Sequence, residues 1–190
     1  MLLVAGIAAS VFIQTMNRMQ EQALLTGEET IKDISAGLEV THISGYYGGS
    51  TISQVAIFIT PTAASDDIDL DHAYIALSDS SKKVILNFTS VCFSSSVSSG
   101  LFGTVNSSKL SNTTYGILVI RDIDSSCSAI TPAINGRDLV VLLVNTTKCF
   151  SGIATRTEVF GNVYPEYGIS GVIGFTTPSA YVDTIIDLQP

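Results

Sequence analysis

The first thirteen residues of this chain, MLLVAGIAASVFI, carry no charge, and the helical pattern that starts in them continues well past them. Ala5, Ala9, Phe12, Met16, Met19, Ala23, Gly27, Ile31, Ile34 and Leu38 follow one another by threes and fours. That spacing is one face of an α-helix. Glu28 and Lys32 sit four apart on the outside, an i, i+4 pair. The opening run is apolar all round, so it has to be buried on every side. Packing on one domain covers one face only, whereas a membrane or a bundle of other helices covers all of them. Ala5, Gly6, Ala8, Ala9 and Ser10 are small, which lets neighbouring helices approach closely. The run would span about 20 Å as a helix, short of a ~30 Å bilayer core. It also lacks the basic segment and small-residue cleavage site of a secretory signal.

After Gly37 the period changes. Segments 38–47, 52–60, 73–78, 83–89, 116–122, 138–144, 157–164, 169–176 and 181–188 are short and rich in Val, Ile, Thr, Phe and Tyr. Gly, Pro, Asn, Asp and Ser separate them, and Pro61, Pro132, Pro165 and Pro178 fall at segment ends, where a missing N–H does least damage. About nine strands after one helix predict a β-sandwich or barrel. The serine-rich stretch 92–114, CFSSSVSSGLFGTVNSSKLSNTT, reads as a long exposed loop or a distorted edge hairpin.

Hydrophobic residues make up 46% of the 190-residue chain and charged ones 14%, enough apolar matter for a core. The net charge is −8, with nine Lys and Arg, which argues against a nucleic-acid partner. Cys92, Cys127 and Cys149 form no C-x-x-C pair, and only His42 and His72 accompany them, so a zinc site is not expected. One disulfide with a free thiol, or three buried thiols, both remain open.

Four N-x-[ST] sequons, at Asn87, Asn106, Asn112 and Asn145, are candidate N-glycosylation sites on an exported protein. Asp66, Asp67, Asp69 and Asp71 place carboxylates at nearly alternate positions, a pattern that a divalent cation accepts. The turn glycine and distal Glu of a calcium loop are missing, so a solvated acidic loop is the preferred reading. His72 beside Asp71, among many serines, suggests a nucleophile triad, but no G-x-S-x-G elbow accompanies it. Catalysis and cofactors are therefore not expected.

These residues together support a resemblance. Residues 1–47, with MLLVAGIAASVFIQT, then Gln20 and Gln22, then TGEETIKDISAGLEVTHISGYYG, closely resemble the N-terminal region of archaeal flagellins (archaellins). The segment IDLDHAYIALSD and the closing YPEYGISGVIGFTTPSAYVDTIIDLQP are similar to that family's patterns as well. The matches lie at both ends of the chain and in the first strands. Residues from about 90 to 150 share only variability and sequons with the family.

The resemblance implies an α+β fold: one long hydrophobic helix over 1–36, then an immunoglobulin-like β-sandwich over 37–190. It implies a structural subunit of the archaellum, an extracellular filament for swimming and surface adhesion, carrying N-glycans. Its partners would be copies of itself or related subunits, and a membrane-embedded assembly motor beforehand. Ala5, Ala9, Phe12, Met16, Met19, Ala23 and Ile31 would pack the filament core. Family precursors carry a charged signal peptide and further apolar residues ahead of this point, so Met1 reads as internal to a longer helix. A membrane-tethered binding module and an adhesive pilus subunit are the alternatives. Tethering needs only ~20 apolar residues, and here the stripe runs on.

Overall fold

In the computed structural model the backbone is described for residues 2–63 and 65–189, and side chains for 6–31, 35–63 and 65–189. The chain divides into two compact units, Met1–Ile34 and Ser35–Pro190. The first holds most of helix α1, Leu2–Ser35, about 51 Å long at 1.5 Å per residue. Two of its threonines sit in mid-helix without breaking it. Thr15 and Thr30 donate their hydroxyls to the carbonyls of Val11 and Thr26, 2.8 and 2.7 Å away.

Among the described residues the second unit has eleven strands: β1 Leu38–Tyr47, β2 Ile52–Pro61, β3 Ile68–Asp69, β4 Tyr74–Ser78, β5 Lys83–Ser94, β6 Thr114–Arg121, β7 Ala133–Ile134, β8 Leu139–Asn145, β9 Glu158–Tyr164, β10 Gly171–Thr176 and β11 Ile185–Gln189. Nine of them form one sheet, in the order β10-β9-β4-β5-β6-β8-β2-β1-β11, and β3 pairs only with β7. Every neighbouring pair is antiparallel except β5 and β6.

The expected sandwich is this single sheet folded over on itself. Gly37 forms a parallel bridge with Ile169, just ahead of β10. Ile169 N–H donates to Ala36 O at 2.8 Å, and Leu38 N–H donates to Ile169 O at 3.0 Å. Gly37 has φ +155, and a β-carbon there would run into the backbone of Ile169, so only glycine fits. Further along, the Gly174 N–H donates to Gln189 Oε1 of β11 at 3.0 Å. The inner face thus closes round a core that includes Ile57, Ile75, Leu86, Tyr115, Ile117, Val140 and Leu142.

The central strands are apolar on both faces. On β8, Val140, Leu142 and Val144 face the main core, while Val141 and Leu143 face a second cluster with Ala56 and Leu118. That second face needs a cover. Cys92, Val105 and Leu110 provide it, with Leu101 and Phe102 packed alongside. The stretch 92–114 is therefore not simply an exposed loop or edge hairpin. β5 runs on to Ser94 in the middle of the sheet, and a 3₁₀ turn, Ser107–Lys109, follows. A short helix α2, Thr146–Phe150, follows β8. Asn145 caps it by accepting from Lys148 N–H at 3.2 Å.

Candidate functional site

The helix that carries the stripe is exposed on all sides. Every residue from Gly6 to Ile31 is solvent-exposed in the single chain. Phe12 is 68% exposed, Met16 58%, Met19 64% and Ile31 66%. Together with Ala9 and Ala23 they follow the predicted face. Ala5 lies among the residues whose side chains are not described. Ile7, Val11, Ile13, Leu24 and Leu25 are also exposed, so exposed apolar side chains surround the helix as far as Ile13, and beyond it Gln14, Asn17, Arg18, Glu21 and Gln22 share the circumference with the stripe. Leu24 and Leu25 extend the apolar surface beyond the apolar opening. They fall off the three-four stripe, which is why the spacing did not select them. No described helix is long and apolar enough to cross a membrane. Covering one such side chain contributes about 1.5–3 kcal/mol relative to water.

The four sequons sit in different surroundings. Asn87 is exposed on β5, opposite Tyr74 of β4, whose ring stacks on Tyr164 at 4.8 Å. Asn106 is exposed and caps the 3₁₀ turn through Oδ1, which accepts from Ser108 N–H at 3.0 Å. Asn112 is exposed in the loop that leads to β6. Asn145 is only 8% exposed. Its Nδ2 donates to Ser107 O at 2.9 Å while its Oδ1 caps α2. In the fold, the Asn145 nitrogen that a sugar would use is committed to a backbone carbonyl, which sets this sequon apart from the other three.

The acidic loop does not gather its carboxylates. Asp69 accepts from Asp71 N–H at 2.8 Å and meets His72 Nδ1 at 3.3 Å. Asp67 accepts from Asn135 Nδ2 at 3.0 Å, and Asp66 is exposed. Among the described residues, the carboxylates that converge are instead Asp122, Asp124 and Asp138, with ligand atoms within 4.8 Å of one another. Asp138 is buried and accepts from the N–H groups of Ile123 and Asn135. Asp122 accepts from those of Ser126 and Cys127. Asn135 Nδ2 also donates to Asp124 Oδ2 at 2.8 Å. That bond and those from Ser126 hold Asp124 down to about 2. The donor set is all oxygen, the kind hard cations take. It spans three separate chain positions, so no local spacing revealed it.

His72 pairs with Asp69 rather than with Asp71. A serine, a histidine and an aspartate do meet at His42, but Ser44 Oγ and Asp187 Oδ1 both reach the same ring nitrogen, at 2.9 and 3.2 Å. A proton relay uses the two different nitrogens. The three cysteines are free and buried. Burial pushes the Cys127 thiol up to about 12 and that of Cys149 to about 11, which keeps both protonated and unreactive.

An exposed apolar helix on a closed sheet domain is matched by known proteins. The family model for archaeal-type flagellin matches residues 1–175. Flagellin B2 of Methanocaldococcus jannaschii is 37% identical, over 100% of this chain and 89% of that protein. Flagellin B4 of Pyrococcus abyssi is 36% identical, over 100% of this chain and 92% of that protein. The crystal structure of archaeal flagellin FlaB1 from Methanocaldococcus jannaschii superposes with a TM-score of 0.74 at 36% identity, over 81% of this chain and 97% of that one. A chain of the archaeal flagellum of Methanospirillum hungatei shares the fold at 12% identity, with a TM-score of 0.56, over 100% of this chain and 92% of that one. With its helix, its folded sheet and its full length all matched, this chain belongs to the archaeal-type flagellin family.

Proposed function

We propose that this protein is a structural subunit of the archaellum, polymerising through α1 into a helical extracellular filament that drives swimming. Its partners are further copies of itself or related flagellins. The observation that carries the reading is the set of exposed apolar side chains on α1, from Ile7 and Phe12 to Leu25 and Ile31. Outside a membrane, a helix of this kind is hidden from water when like helices surround it. Lipid hides it equally well beforehand, so transfer from membrane to filament gains little by itself and calls for an energised assembly motor. Once the filament stands in water, losing a subunit re-exposes the whole helix, and disassembly is strongly opposed.

The role is structural, and no catalytic step is assigned to any residue. Asn87, Asn106 and Asn112 are the positions proposed to carry N-glycans, since each presents its side chain to solvent. Electron microscopy of material sheared from cells that express the chain, with mass spectrometry of the same fraction, tests the reading. Filaments with this protein as a principal component support it. Retention in the membrane fraction with no filament containing the protein rejects it.

A further inference from the structure

The sheet domain has two ends of opposite character. One end lies where β2, β6 and β9 finish and β1, β4 and β8 begin. Asp66, Asp67, Asp69 and Asp71 occupy the connection from β2 to β4, Asp122 and Asp124 follow β6, and Glu166 follows β9. Glu39 and Asp138 add to this end, and Arg121 and Arg137 are its cations. At the other end, Lys82 and Lys83 lie at the turn between β4 and β5, and Lys109 closes the 3₁₀ turn. Lys148 lies in α2, and Arg156 precedes β9. Asp79, Glu158 and Asp183 are the acids there. The strand pairings fix this division. Tyr74 of β4 faces Tyr164 of β9 at the acidic end, whereas Ser78 faces both Lys83 and Phe160 at the basic end.

A chain with net charge −8 and nine cations in all has gathered five of those cations at one end of one domain. The five side chains are exposed. Among the described residues none of the five forms an ion pair with a carboxylate, and the Lys82 ammonium donates to Cys149 O at 2.7 Å. The complement of a basic end, on a protein that assembles with copies of itself, is the acidic end of the next copy. We infer that the basic end of one sheet domain docks on the acidic end of another, head to tail. Such a contact is heterologous: it uses two different surfaces, and with a rotation that does not close into a ring it propagates along an open filament. It sets register and orientation, which apolar contacts along the helix specify only weakly. This inference rests on the filament reading. It adds a second, electrostatic contact outside the helix bundle, and salt weakens it more than it weakens the bundle.

The test uses the full-length chain in cells that depend on it for filaments. K83E/K148E/R156E reverses the basic end and leaves Lys82 in place. It is expected to lower filament yield by at least about tenfold, because like charges now face one another. Adding D66K/D71K/E166K, which removes most of the negative charge of the acidic end and with it most of the repulsion, is expected to recover part of the yield. The neutralised form, K83Q/K148Q/R156Q, should give an intermediate yield, and it serves if the reversed form fails to fold. Sheet circular dichroism of each variant checks folding. Normal filaments from the reversed and neutralised forms overturn the end-to-end contact while leaving the filament reading intact. Loss without rescue by the second reversal also overturns the pairing. If the unaltered chain makes no filament, the filament reading itself falls, and this contact with it.

Discussion

The hydroxyl of Tyr115, on β6, donates to the carbonyl of Leu70 at 2.9 Å and lies 3.2 Å from that of Ala73. Tyr115 is fully buried, and its phenol is pushed above its usual value mainly by that burial. The bond ties the connection between β2 and β4 to the middle of the sheet. Tyr115→Phe keeps the ring and removes the hydroxyl from both carbonyls, leaving that of Leu70 only the Ala73 N–H at 3.3 Å, at a cost of about 1–3 kcal/mol. Calorimetry of the full-length protein in detergent should show a lower unfolding temperature. An unchanged transition would mean that water satisfies those carbonyls.

Phe12→Lys places a charge in the apolar ring of α1. The sheet domain keeps its circular dichroism and filaments disappear, because a lysine inside a helix bundle costs several kcal/mol per subunit unless it is paired. Intact filaments of this variant under the electron microscope would refute the bundle role.

Glycopeptide mass spectrometry should find sugar at Asn87, Asn106 and Asn112 and none at Asn145. The same contacts predict a stability difference. Asn145→Ala removes a helix cap and a buried hydrogen bond and costs about 1–2 kcal/mol. Asn112→Ala, at an exposed site, stays within about 0.5 kcal/mol of the parent.

Asp124 ionises near 2 in the fold, against an ordinary 3.8, chiefly through its bond from Asn135. A lowered folded value means that ionised Asp124 favours the folded state. The contribution is fully present above about pH 4 and fades as pH falls towards 2. Asn135→Ala should bring the Asp124 titration, followed by carboxyl-carbon NMR, back towards the ordinary value. It should also flatten the loss of stability between pH 4 and 2. A titration still centred near 2 in that variant would assign the shift to Ser126.

The helix and most of the long strands were readable because each has a period; the far half of β5 was not, because it runs into the serine-rich stretch. The spacing from Ala9 to Ile31 continues to the end of α1, and LEVTHISGYY is β1 residue for residue. The run LVVLLV on β8 is apolar at every position and packs on both faces of the sheet. What could cover the second face was not readable, because Cys92, Val105 and Leu110 reach it from a serine-rich stretch. β3 and β7 have two residues each and no period. Their pairing is imposed by the surrounding fold. The sequon at Asn145 looked like the other three, and only the 3₁₀ turn that receives its amide sets it apart.

Flagellins are made to be crowded, and a crowded β protein risks aggregation. A bare strand edge invites the same strand of a neighbour, and that pairing leads to cross-β stacking. Here the chain turns part of the β10 edge on itself: Ile169, just ahead of β10, is paired with Gly37 and Leu38, and the Gly174 N–H is taken by the Gln189 side chain. Opening that seam, for instance by crowding Gly37 with a side chain, would offer a competing polymer, an amyloid-like ribbon that consumes subunits before they reach the growing filament.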